Sequence, residues 1–310
     1  MDFPWPTPAQ ATESAGSLDK PLFEVLAPER WHFPVVFNSP HSGRFMPPGL
    51  LKHTRLSGKA LRQSEDCDVD ELFGGCISHG APMLRALASR AYLDLNREPY
   101  ELDARMFVEN LPGYMNPGSP RVAAGFGTIP RLVGESAEIY HNRLPLEEAF
   151  DRIESFYHPY HRTLANLLNQ AQAATGFVLL IDCHSMPSSA ARQNATNVRS
   201  ADIVLGDRFG SACGRELADT VEAFFTSKGL HVVRNRPYAG GFITESYGAP
   251  HKNCHAVQVE LNRALYMDER QLGHHSGFAA LQSTLSQISV YLGDIISDYC
   301  SPQEYGRAAE

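Results

Sequence analysis

The chain has 310 residues, 43% hydrophobic and 20% charged, a balance that describes a globular protein with a substantial buried core and excludes a disordered or fibrous one. Its 27 basic and 35 acidic side chains give a formal charge of -8 with no basic block, which argues against nucleic acid or an anionic membrane surface as the principal partner. No apolar run approaches the roughly 18 residues of a membrane span, and six cysteines scattered without a CxxC pair point to a reduced, cytoplasmic protein.

Residues 1–20, rich in Pro, Ala, Ser and Thr and lacking an apolar signal region, read as a loosely ordered arm before a single domain spanning 21–310. Phe23–Leu26 is a short strand, and Pro34–Asn38 a firmer one that runs into His41. The spacing of Leu51, Leu56, Leu61, Val69 and Leu72 predicts helix between Leu50 and Phe73. Inside it, Ser64–Glu71 carries five acids in eight residues; a helix start and a solvated face explain them about equally well. A strand at Ala81–Leu87 follows, and Arg90–Arg97 has a β-prone core that ends in an amide and a guanidinium.

From Glu98 to Gly134 prolines and glycines recur, and a loop of that length inside a compact domain is commonly a functional cover. Arg121 and Arg131 within it are cations able to reach an anionic ligand, with an ordinary surface position the better reading for Arg121. Pro145–Thr175 has the clearest helical period, with a kink expected at Pro159, and His158 and His161 read as members of that helix rather than as ligands. Strand Val178–Ile181 is apolar enough to be buried on both faces, and it ends in Asp182-Cys183-His184-Ser185. Ile203–Gly206, His231–Arg234 and Ala256–Arg263 are further strands, separated by a helix at Gly214–Gly229 and a glycine-rich turn at Tyr238–Thr244. Gly277–Tyr299 reads as one closing helix. Strands alternating with helices imply an α/β/α sandwich on a mixed, mainly parallel sheet.

Four of these segments deliver polar groups to one sheet edge: His41, Asn96-Arg97, His184 and Glu260. In open α/β sheets ligands bind outside the carboxyl ends of the strands. A hydrolytic zinc centre takes three ligands from His and Asp or Glu, keeps a position for water, and has a carboxylate nearby to move a proton. His41 and His184 are candidate imidazole ligands, Asp66 the candidate carboxylate and Glu260 the candidate base. Ser42 and Ser185 lie in no Gly-x-Ser-x-Gly elbow, so a serine hydrolase is disfavoured.

The segments Asn38–Gly43, Ser64–Asp66, Ser89–Arg97, Tyr157–His161, Asp182–Pro187, Gly240–Thr244 and Val257–Arg263 together resemble the N-formylglutamate amidohydrolase family, itself similar to zinc carboxypeptidases and aspartoacylases. The resemblance implies a zinc carboxypeptidase-like α/β/α fold. It also implies one Zn2+, or another divalent metal, on His41, Asp66 and His184, with Glu260 handling protons. Asn96 and Arg97 would hold a substrate carboxylate, with Arg90 and Arg131 as further anion-binding cations. The position three residues after the first metal histidine is Arg44, where those relatives carry a carboxylate ligand. Asp66 therefore takes that role, with Glu65 or Asp68 as fallbacks. The implied reaction is hydrolysis of N-formylglutamate to formate and glutamate in histidine degradation. The alternatives are the same chemistry on another small anionic N-acyl amino acid, or a ligand-binding protein without activity.

Overall fold

Val178–Met186, nine consecutive buried residues, form the central strand of a seven-stranded sheet. The computed structural model describes residues 20–134, 136–191 and 200–300; all but the last residue of the expected arm at 1–20 lies outside them. In chain order the strands are β1 (Phe23–Leu26), β2 (Val35–Ser39), β3 (Met83–Ala86), β4 (Val178–Met186), β5 (Ile203–Gly206), β6 (Val232–Arg234) and β7 (Cys254–Asn262). Their spatial order is β1-β3-β2-β4-β7-β5-β6. The four from β3 to β7 in this order run parallel, while β1 and β5 pair antiparallel with their inner neighbours.

Each face of this sheet is covered by helices, because a strand buried on both sides needs an apolar layer above and below. Alternation along the strands sends Val36, Leu84, Leu180 and Ala256 to one face, where they meet Leu164, Leu167 and Leu168 of the helix His158–Thr175. Phe37, Ile181, Val257 and Val259 go to the other, against Val221, Phe224 and Phe225 of Arg215–Ser227 and Leu285 and Leu292 of the closing helices. The architecture is the expected three-layer α/β/α sandwich on a mixed, mainly parallel sheet. Parallel neighbours require crossovers, and the one feeding β4 ends at Gly176, whose φ of 74° and N–H to Gln172 terminate the helix before the strand begins.

Five local details differ from the expectations. The stretch from Leu50 to Phe73 is three short helices, Pro48–His53, Gly58–Arg62 and Val69–Phe73, because residues 63–68 turn inward to the sheet edge. The acids there are no solvated face: Glu65, Asp66, Asp68 and Asp70 are all buried. Arg90–Arg97 is a series of turns beyond the end of β3 rather than a strand. The helix around Pro159 continues through a π turn at Ile153–Tyr157, where the His158 N–H reaches Ile153 O and accommodates the proline's missing donor. The closing helix is two, Gly277–Ser286 and Ile288–Cys300.

Candidate metal centre and cleft

Three strands end side by side and set the site. Beyond β2 the chain carries His41, and the Asp66 N–H donates to the His41 carbonyl at 3.1 Å, docking the acidic turn onto the strand end. In the parallel ladder between β4 and β7, His184 lies directly opposite Glu260 and Asp182 opposite Gln258. His41, Asp66 and His184 each offer one ligand atom, and these atoms lie within 4.8 Å of one another. Asp66 Oδ2 is 2.8 Å from His184 Nδ1 and 3.4 Å from His41 Nδ1.

The distal nitrogens are tied down. His41 Nε2 donates to Asp94 Oδ1 at 2.7 Å, and His184 Nε2 lies 3.1 Å from Asp182 Oδ2. Asp182 is itself gripped by Asn38 Nδ2 at 2.7 Å, and the Tyr160 hydroxyl donates to Asn38 Oδ1 at 2.7 Å. This is how metal-binding imidazoles are oriented: a carboxylate on one nitrogen fixes the tautomer and leaves the other to face the ion. His41 Nδ1 is buried without a hydrogen-bond partner, a cost that a cation at this point would relieve. Two imidazoles and one carboxylate suit a divalent ion such as zinc with a further position open. Burial alone would raise the Asp66 carboxyl, but the hydrogen bond to His184, the proximity of His41 and the charge of Arg90 outweigh it and hold it well below the usual range.

Around this group opens a cleft of about 910 Å³. Glu260 lines it without joining the ligand group. Burial pushes its carboxyl up to about 7, with His184, Arg263 and Arg90 opposing and Asp66 adding to the rise. Gln258 Nε2 donates to Glu260 Oε1 at 2.7 Å, which fixes the carboxylate from behind. Arg263 donates to Asp66 Oδ1 at 3.1 Å and to the Glu65 carbonyl at 2.7 Å. Arg90 donates to Asp94 Oδ2 at 2.7 Å. The site can hold a cation, place one carboxylate beside it, and receive an anion among arginines.

The model of the N-formylglutamate amidohydrolase family matches residues 33–267, well over half of the chain. The chain belongs to this family. It is 30% identical to the N-formylglutamate deformylase of Pseudomonas aeruginosa over 250 residues, 80% of this chain and 87% of that protein. The Pseudomonas putida deformylase is 27% identical over 251 residues, with the same coverage of 80% and 87%. The crystal structure of the N-formylglutamate amidohydrolase from Ralstonia eutropha JMP134 superposes with a TM-score of 0.84 at 33% identity, covering 89% of this chain and 99% of that one.

Within this amidohydrolase frame the structure brings His41, Asp66, His184, Glu260, Arg90, Asn96 and Arg97 to one cleft. The fallback acids face elsewhere: Glu65 pairs with Arg62 at 2.9 Å, and Asp68 takes Arg44 and His274. Arg44 thus points away from the ion position into this acidic group. Asn96 turns its amide to the protein, accepting the Ile243 N–H at 2.8 Å with Nδ2 3.1 Å from His184 Nε2, so it positions the site more than it presents itself to the cleft. The glycine-rich turn explains itself here: a Cβ on Gly241 would sit 2.5 Å from the Asn96 amide, so the close approach is to the protein.

Arg131 requires a correction. Its guanidinium donates to Asp103 at 3.1 Å and lies 3.6 Å from Glu138, and it does not line the cleft; Arg121 does. The serines also lack a base: Ser42 Oγ meets Ser39 Oγ at 2.6 Å and Ser185 Oγ accepts from Arg263 at 3.1 Å. Sequence reasoning assigned no role to Asp94, Asp182, Gln258 or Arg263. For two of them a signal was present, since strand residues two apart share a face: Asp182 with His184, and Gln258 with Glu260.

Proposed function

We propose that this protein is a zinc-dependent N-formylglutamate deformylase, hydrolysing N-formyl-L-glutamate to formate and L-glutamate in the cytoplasm as a step of histidine degradation. Cys67, Cys76, Cys183, Cys213 and Cys254 are free thiols, which supports a reduced compartment. The reading is carried by the convergence of His41, Asp66 and His184 beside the unliganded carboxylate of Glu260. Residues 21–310 act in it as a single hydrolase domain. When bound, the divalent ion supplies Lewis-acid polarisation of the formyl carbonyl and acidifies the attacking water.

The chain's own groups do the rest. Glu260 Oε1 is held by Gln258, so Oε2 is the atom that takes the water proton and returns it to the departing amide nitrogen. A carboxyl poised near neutrality suits both halves of that exchange. Arg90, fixed by Asp94, holds positive charge where the carbonyl oxygen becomes negative. Arg97, fixed by the carbonyls of Asn96 and Phe126, presents its remaining donors to a substrate carboxylate. The test is formate release across a panel of N-acyl amino acids, with metal quantified on the same sample. N-formyl-L-glutamate should show the highest kcat/KM and the active protein one divalent ion per chain. Preference for a longer acyl group, or full activity in metal-free protein, would overturn the reading.

A further inference from the structure

Among the described residues, four arginines and three carboxylates line the cleft: Arg90, Arg97, Arg121 and Arg263 against Asp66, Asp94 and Glu260. Three of the arginines already donate hydrogen bonds to protein acceptors. Arg263 serves Asp66, Ser185 and the Glu65 carbonyl, Arg90 serves Asp94, and Arg97 donates to Phe126 O at 2.9 Å and Asn96 O at 2.8 Å. Arg121 is different. Among the described residues its guanidinium makes no hydrogen bond, and the carboxylate near it, Glu101 Oε2, stays at 3.6 Å.

Its place is nevertheless fixed. The short helix Pro120–Ala123 is capped by Ser119, whose Oγ accepts the Val122 N–H at 3.1 Å, and Val122 is buried beneath it. Phe126 then joins the two cations: its N–H donates to the Arg121 carbonyl at 2.8 Å while its carbonyl accepts from Arg97 Nε. The charges of Arg90 and Arg121 both weigh on Arg97, whose pKa burial already lowers. A cation held beside Arg97 over the cleft, ion-paired to Glu101 at 3.6 Å but hydrogen-bonded to nothing among the described residues, keeps its donor fork for a substrate anion.

We infer that Arg121 is the specificity-determining residue that binds the second, side-chain carboxylate of a dicarboxylic N-acyl substrate. The inference rests on the deformylase reading and deepens it. In such a substrate the α-carboxylate lies two bonds from the scissile nitrogen and falls to Arg97, whose neighbours Asp94 and Asn96 touch the histidines. The side-chain carboxylate extends further, to the cover that carries Arg121. Recognition of the second charge thus belongs to the loop, and chemistry to the sheet.

The test compares N-formyl-L-glutamate with N-formyl-L-glutamine, which replaces only the side-chain carboxylate by a neutral amide. Losing a charge-assisted hydrogen bond predicts that Arg121→Met reduces the preference in kcat/KM for the acid over the amide by about 10- to 10²-fold, chiefly through KM for the acid. Arg121→Lys, which keeps the charge without the fork, should retain part of the preference. An unchanged acid-over-amide ratio in both variants, whether activity falls or holds, would overturn the assignment of Arg121. Failure of the native protein to release formate from N-formylglutamate would instead overturn the deformylase reading, and the inference with it.

Discussion

The wall of the cleft formed by β2, β4 and β7 carries its reactive groups at strand ends, each locked by a buried partner; the facing wall, Glu98–Gly134, carries its cations on turns and a one-turn helix. On the first wall His184 is fixed by Asp182, Asp182 by Asn38 and Asn38 by Tyr160, a chain that reaches through the sheet into the helix layer. On the second, Arg121 and Arg131 stand ten positions apart in one loop, yet one faces the cleft and the other is consumed by Asp103 and Glu138. A strand dictates where its side chains point through its period of two; a loop leaves that choice to partners distant in sequence.

The largest effect should come from breaking the strand wall itself. His184→Ala removes one of the three proposed ligands, so metal should be lost from the purified protein and formate release should fall to background. Retention of stoichiometric metal, measured by elemental analysis, would place the ion elsewhere.

A second test reaches the support behind the Asp94–Arg97 turn. His161 Nε2 donates to the Leu95 carbonyl at 2.9 Å, and its ring stacks on Tyr157 at 4.2 Å between centroids. Burial lowers its pKa to about 4, with the Leu95 carbonyl opposing. The unfolded chain's imidazole binds a proton below its ordinary value of about 6.5, whereas the folded one stays neutral until about 4. Stabilisation present above pH 6.5 is therefore lost as pH falls through that window, by up to about 3 kcal/mol. Denaturant unfolding at pH 7 and pH 4.5 checks this, with His161→Gln as the control that should lack this component of the slope. An equal slope in the control would remove His161 from the account.

Smaller still should be the effect of Asp182→Asn, which keeps the shape but removes the charge behind His184. Metal affinity should fall by about 10- to 100-fold, as for other partners of ligating histidines. An unchanged affinity in a competition titration with a chelator would show that the strand wall holds the ion without its buried support.

The same contrast decides what was legible in the sequence. Val178–Ile181 and Ala256–Arg263 announce themselves as strands, so His184 and Glu260 could be placed at one sheet edge from apolar runs alone. Asp66 is in no strand, and spacing could not bring it to the histidines; the family resemblance pointed to it, and the inward turn at residues 63–68 puts it there. Nothing local distinguishes two loop arginines, so the sequence could not tell that Arg121 lines the cleft while Arg131 turns to the protein. Their difference is made by Asp103 and Glu138 on one side and Ser119 and Phe126 on the other. Arg90–Arg97 has strand-like composition, but no strand pairs with it, and its side chains bind histidines, carboxylates and carbonyls instead.

The central claim is that Glu260 moves the proton while His41, Asp66 and His184 hold the ion. Glu260→Gln preserves size and the contact with Gln258 but cannot accept a proton, so one preparation measured for both metal content and formate release separates the two roles. The prediction is one divalent ion per chain, as in the native protein, with turnover reduced by about 10²- to 10⁴-fold. Loss of the ion from Glu260→Gln, or turnover near the native rate, would contradict it.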